Sequence, residues 1–257
     1  MNDKIVFTRR EKTVLLAIKS GFAFMWGFIN VVTILQSRRV ATMMTGNLIL
    51  LGRQIQDWDV EEIMLTFVLI IAYILGGAAY DALNFVMKEE KNVLLCSLSA
   101  VVILGVLADI VQYVTTACPK VQDQSVCEGR NLYYLSPVSF MTGIVASGYC
   151  SAHLMTGRMT VAPGALLKIY LTEGYPASGP ERARLLEEAL LSVVLVTLFF
   201  LGVLTGAMVE GLIVKTYLNG RFSPLFTAFA IVLATLCSLH SAFYRKCLRP
   251  SEERVLP

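Results

Sequence analysis

Thr42-Met43-Met44-Thr45-Gly46-Asn47-Leu48 decides how this chain is read, and a shorter echo of it, Leu154-Met155-Thr156-Gly157-Arg158-Met159, returns in the second half. Thr-Gly followed by a polar residue is poor helix, because glycine loses the most backbone entropy on ordering and a threonine hydroxyl competes for nearby backbone groups. Both copies nevertheless lie beside apolar segments of membrane length. In a bilayer, irregular backbone persists only where protein buries it or where it lines a cavity. The two motifs are therefore expected to interrupt membrane segments, each followed by a short re-entrant or interfacial half-helix, 48–56 and 159–171. Nine or thirteen helical residues cover roughly 14–20 Å at 1.5 Å each, less than a bilayer core.

The rest of the chain supplies the membrane. Of its 257 residues 56% are hydrophobic and only 16% are charged, where soluble domains carry about 25% charged residues; mean hydropathy is +0.64. Six apolar runs have spanning length: 13–35, 63–84, 93–117, 132–152, 189–209 and 222–243. The first is too long for the apolar stretch of a signal peptide and shows no small-residue cleavage site. An even number of spans puts both tails on one side. With that side cytoplasmic, the inner segments carry about twice the Lys and Arg of the outer ones, the bias expected of inward-facing loops. The expected location is a plasma or inner membrane, multi-pass, with both termini cytoplasmic.

The halves resemble each other beyond the Thr-Gly motifs. Leu75-Gly76-Gly77-Ala78-Ala79-Tyr80-Asp81-Ala82 parallels Leu204-Thr205-Gly206-Ala207-Met208-Val209-Glu210-Gly211. Three helices per unit would invert the second copy, an arrangement common in secondary transporters. The expected fold is thus an all-α membrane protein of six transmembrane helices in one domain, 1–257, built as two inverted three-helix repeats, about 13–117 and 132–243. The alternative, in which the half-helices span fully, gives four helices per half and a parallel repeat.

Gly27-Phe28-Ile29-Asn30, then Met44-Thr45-Gly46-Asn47-Leu48, then a second helix ending in Leu75-Gly76-Gly77-Ala78 resemble the YoaK-like family of membrane proteins. Met141-Thr142-Gly143 and Met155-Thr156-Gly157 resemble its second signature, so the likeness runs from about Gly21 to Tyr244. The chain departs from the pattern in a shorter interval between Gly143 and Thr156, and in Arg158 and Pro163 where the family continues apolar. The resemblance implies a multi-helix integral membrane protein and brings no substrate or reaction with it.

Thr45, Gly46 and Asn47 are the first candidate site. A helix restarting there exposes unpaired N–H groups and its positive dipole end, which in broken transporter helices hold anionic groups; Asn47 is also suited to capping it. The structural alternative is that these residues only close the backbone of a packed loop. Thr156 and Gly157 follow by analogy. Asn30, within the first helix, needs an interhelical partner and serves as glue or as a solute contact. Asp109 is deep in the third helix, where an acid is costly and marks ion coupling unless it is paired or reaches an interface. His153, just before the second break, switches protonation near neutral pH, although a lone histidine is more often a hydrogen-bonded packing residue. Asp81 and Glu210 are either a pair of gates or ordinary solvated helix-end acids.

Gly202-x-x-x-Gly206 reads as a close helix contact, serving the repeat interface or a homodimer. Cys118 and Cys127 flank the hydrophilic loop between the halves, which permits a disulfide if that loop is extracytoplasmic. No phosphate-cradling loop, paired-Cys metal spacing or nucleophile elbow occurs, so no cofactor and no metal are expected. The charges are scattered through loops and tails, which excludes a nucleic-acid surface. The expected partners are the lipid bilayer and a small-molecule solute. The leading expectation is a secondary transporter of a small polar or anionic solute, not an enzyme. Behind it stand a non-transporting scaffold or assembly factor, and then an intramembrane enzyme using Asp109 and His153.

Overall fold

Backbone amides find no water in hydrocarbon, so apolar segments of this length close their hydrogen bonds within helices. The computed structural model describes residues 9–37, 44–87, 89–116, 134–148, 180–212 and 224–253. Among these, seven helices form: α1 (Arg9–Ser37), α2 (Met44–Asp57), α3 (Val60–Val86), α4 (Glu90–Thr116), α5 (Leu135–Gly148), α6 (Pro180–Met208) and α7 (Leu225–Glu253). Five carry stretches long and apolar enough to cross a membrane: Thr13–Gln36, Val60–Val86, Lys91–Val114, Ala189–Leu212 and Leu225–Phe243. The chain is an integral multi-pass membrane protein.

The fourth expected span, 132–152, is represented by α5, whose 14 described residues reach only about 21 Å. Among the described helices this is the most enclosed: Leu135, Val138, Met141, Ile144 and Val145 are almost wholly buried, and Ser139 and Thr142 with them. The long helices instead leave much of their apolar surface outside, as Phe67, Ile74, Ile103 and Leu204 show. Large apolar side chains thus cover the outside as well as the core, the arrangement a lipid environment permits.

Three helix pairs carry the packing, α1 with α6, α3 with α5, and α4 with α7. In the first, a Cβ on Gly27 would fall into the Phe199 carbonyl, and one on Gly202 into the Phe24 carbonyl. The second repeats this: a Cβ on Gly143 would strike the Tyr73 carbonyl, and one on Gly76 the Phe140 carbonyl. Residue numbers rise together along both crossings, so each of these pairs runs parallel. The third is antiparallel, with Gly105 against Phe226 and Ala230 near the start of α7. Small residues let backbones close to this distance, where dispersion and Cα–H···O contacts replace the hydrophobic drive that lipid cannot supply. Gly202-x-x-x-Gly206 is therefore occupied within the chain, by Phe24, Phe28 and Val31 of α1.

Between α2 and α3 the chain turns through Trp58, the one non-glycine with positive φ (53°) among the described residues. Its N–H donates to the Ile55 carbonyl (3.3 Å) and that of Asp59 to the Gln54 carbonyl (3.2 Å). This is a Schellman ending, with an exposed indole at the position glycine usually holds. Asp59 then caps α3, its carboxylate accepting from Glu62 N–H at 3.2 Å. Gly52, in the middle of α2, has nothing within 4 Å of where a Cβ would stand. Gly52→Ala is accordingly expected to stabilise the protein by about 0.5–1 kcal/mol, through helix entropy alone, read as a small rise in the detergent melting temperature.

Candidate functional site

Asn30, Thr33 and Gln36 recur every third residue on α1, whose other residues from Gly21 to Leu35 are apolar or glycine. That spacing keeps them on one face, and all three turn inward: Asn30 and Thr33 are buried and Gln36 is half-buried. Thr33 bonds back along its own helix, donating to the Ile29 carbonyl at 2.9 Å. Gln36 reaches across to α6, its Nε2 donating to Glu210 Oε2 at 3.0 Å. Its Oε1 accepts from Gln112 Nε2 of α4 at 3.2 Å. One carboxylate and two carboxamides from three helices thus form a continuous seam at the end of the bundle where α1, α4 and α6 terminate.

Glu210 is only 5% exposed. It sits in a π-helical turn, 209–212, that continues α6; such turns widen a helix by one residue and concentrate at functional sites. No cation pairs with it among the described residues; the ion pair there, Arg53 with Asp57 at 3.7 Å, lies on exposed α2. The sequence alone left Glu210 as either a gate or a solvated helix-end acid and did not mark Gln36 or Gln112. The available signal was the polar stripe on α1. The other acid matched with it, Asp81, is exposed and accepts from Ser147 of α5 at 3.1 Å.

Asp109 stands one helical turn before Gln112 on α4 and is 2% exposed. Its carboxylate accepts from the backbone N–H groups of Phe226 (3.1 Å) and Thr227 (2.6 Å), in the first turn of α7. These are donors the helix cannot satisfy itself, and the negative charge faces the positive dipole end. Asp109 is thus a paired acid that seats α7 on α4. His240, the histidine on α7, packs edge-on against Phe22 of α1, ring centroids 6.4 Å apart.

The Thr45-Gly46 pair was expected to precede a helix restart. It lies instead inside the first turn of α2, which begins at Met44, so Asn47 is a helical residue and not the cap. First-turn N–H groups have no intrahelical partners, so the weak helix propensity of Thr and Gly costs little there. The polarity of α2 is inverted relative to a soluble helix. Asn47 and Gln54, two turns apart on one face, are buried, whereas Leu48, Ile49 and Ile55 are exposed. Gln54 accepts from the Thr66 hydroxyl at 2.9 Å, tying that polar face to α3. Thr156, Gly157, His153, Cys118 and Cys127 lie outside the described residues.

The matched part of the chain is the part that holds most of α1, α2 to α4 and the Thr45-Gly46-Asn47 block. Residues 19–119 match the DUF1275 family model, a protein of unknown function. The match is consistent with the YoaK-like resemblance, and DUF1275 covers Asn30, Gln36, Asp109 and Gln112 but not Glu210 or α5 to α7. No curated protein and no solved structure matches the chain.

Proposed function

We propose that this DUF1275-matching protein is a small secondary transporter built as two inverted three-helix repeats. The observation that carries the reading is the shared register of two helix crossings. Phe24 and Gly27 meet Phe199, Gly202 and Val203 in the same spacing in which Phe140 and Gly143 meet Tyr73, Gly76 and Gly77. Exchanging the first helix of one half with that of the other, and likewise the second, turns one parallel crossing into the other. The antiparallel α4–α7 pair then lies on the pseudo-two-fold axis. This register pairs Gly76 with Gly202, a helical turn away from the pairing that sequence comparison of the two Leu-x-Gly-Ala stretches gives.

In this reading, α2 is the re-entrant half-helix of the first repeat. Its apolar side faces lipid, and its polar side, with Asn47, faces the interior. The first-turn N–H groups beside Thr45 and Gly46 favour a small polar or anionic solute, with Asn30 on α1 contributing from the neighbouring helix. The charge bias of the loops supports cytoplasmic termini.

The test is a panel of small metabolites and ions added to the purified protein. A bound solute at about 100 times its Kd adds roughly 2.7 kcal/mol of apparent stability, visible as a higher melting temperature. The expected result is one solute class that stabilises the wild type, fails to stabilise Asn47→Ala, and exchanges across proteoliposomes. Binding without exchange, or no binding across the panel, would overturn the transporter reading in favour of a scaffold.

A further inference from the structure

The seam between α1, α4 and α6 has a chemistry that a solute site alone does not require. A carboxylate accepts hydrogen bonds only, whereas a carboxamide donates at one end and accepts at the other. With Glu210 ionised, every donor in the chain points the same way: Gln112 Nε2 to Gln36 Oε1, then Gln36 Nε2 to Glu210 Oε2. We propose that Glu210 is the proton-binding site of the transporter, and that Gln36 and Gln112 relay its charge state from α6 to α4. The inference rests on the transport reading for its purpose, but not for its chemistry.

The step balances as a simple protonation. One proton from water joins a Glu210 carboxylate oxygen, giving a neutral acid whose O–H must now donate. Gln36 Oε1 becomes an acceptor for it once the carboxamide turns over. Its Nε2 then faces Gln112, which turns its own Oε1 inward, so the direction of donation reverses along the whole chain. Among the described residues, α1 has no titratable side chain between Lys19 and Ser37 and α6 none between Glu188 and Glu210; on the end of α4 nearest the seam, Asp109 bonds α7 and Tyr113, beside Gln112, is exposed. Gln112 is one turn from Asp109, so the reversal is felt where α4 holds α7. Buried acids in hydrogen-bonded chains of this kind are the usual material of membrane proton relays.

The experiment is infrared pH titration of the full chain in lipid nanodiscs, without any solute, on wild type, Glu210→Gln, Asp109→Asn and Gln112→Leu. All 19 Asp and Glu carboxyls gain a C=O band as pH falls, so the Glu210 band is the component by which the wild type exceeds Glu210→Gln, and the same component is expected in Asp109→Asn. In Gln112→Leu, which leaves Glu210 and its bond to Gln36 in place, the band's midpoint should move by about one pH unit, a tenfold change in proton affinity. Identical C=O titrations in the wild type and Glu210→Gln would overturn the site. An unmoved midpoint in Gln112→Leu would overturn the relay. Because no solute is present, a failure of transport in proteoliposomes leaves this result standing, and the converse holds.

Discussion

Replacing Gly27 with alanine is expected to separate α1 from α6 and to destabilise the protein at or beyond the upper end of the usual overpacking cost of about 1–3 kcal/mol. The added methyl would occupy the position of the Phe199 carbonyl, with the Val203 nitrogen also only 3.2 Å away. Those are backbone atoms of a continuous helix, so neither can rotate aside as a side chain would. The same outcome is expected for Gly202→Ala against Phe24, and for Gly143→Ala against Tyr73 in the other crossing. Unfolding in increasing detergent denaturant, with Gly52→Ala as the harmless control, is the measurement. Equal losses at Gly27 and Gly143 would be the energetic counterpart of the shared register. A neutral Gly27→Ala would show that the α1–α6 crossing is looser than described.

Asp109→Ala is expected to release the start of α7, at a cost of about 2–4 kcal/mol. Hydrogen bonds to a charged group contribute about 1.5–3 kcal/mol, and removal of the acceptor here leaves two buried N–H groups without their carboxylate. Asp109→Asn, which keeps one acceptor oxygen, should lose clearly less. Hydrogen exchange by mass spectrometry distinguishes this from general destabilisation. Protection should fall first in the peptide containing Phe226 and Thr227, while peptides from α3 and α5 stay protected. Uniform loss across the chain would mean that Asp109 supports the bundle as a whole. Unchanged exchange at Phe226 would remove its role as the anchor of α7.

Much of this architecture was legible in the linear chain, for a plain physical reason. Hydrocarbon forces each spanning segment to be apolar, helical and about a bilayer long, so five long helices stand close to the segments marked by composition. The fourth span was harder, because α5 is enclosed by other helices and reads as apolar whether it crosses the membrane fully or not. Asp109 could be singled out as an isolated acid in an apolar run. Its partner could not, since the partner is the backbone of Phe226 and Thr227, which has no signature in residue type.

Gly202-x-x-x-Gly206 announced a close helix contact, and only the tertiary structure showed that α1 fills it. Glu210 shows the same division more sharply. Its position near a helix end is written in the sequence, and solvation is the ordinary expectation for such an acid. Within the bundle Gln36 meets it from α1 and Gln112 of α4 meets Gln36 in turn, both far away along the chain. By itself, then, the sequence determined the environment of this protein, the places of its five long helices and which residue types are costly within them, because those follow from local composition against a fixed solvent, whereas the fourth expected span is the short α5. Which costly residues meet, and therefore where a site can exist, was decided by the tertiary structure, because it depends on the glycine contacts that set how closely and in what register the helices cross.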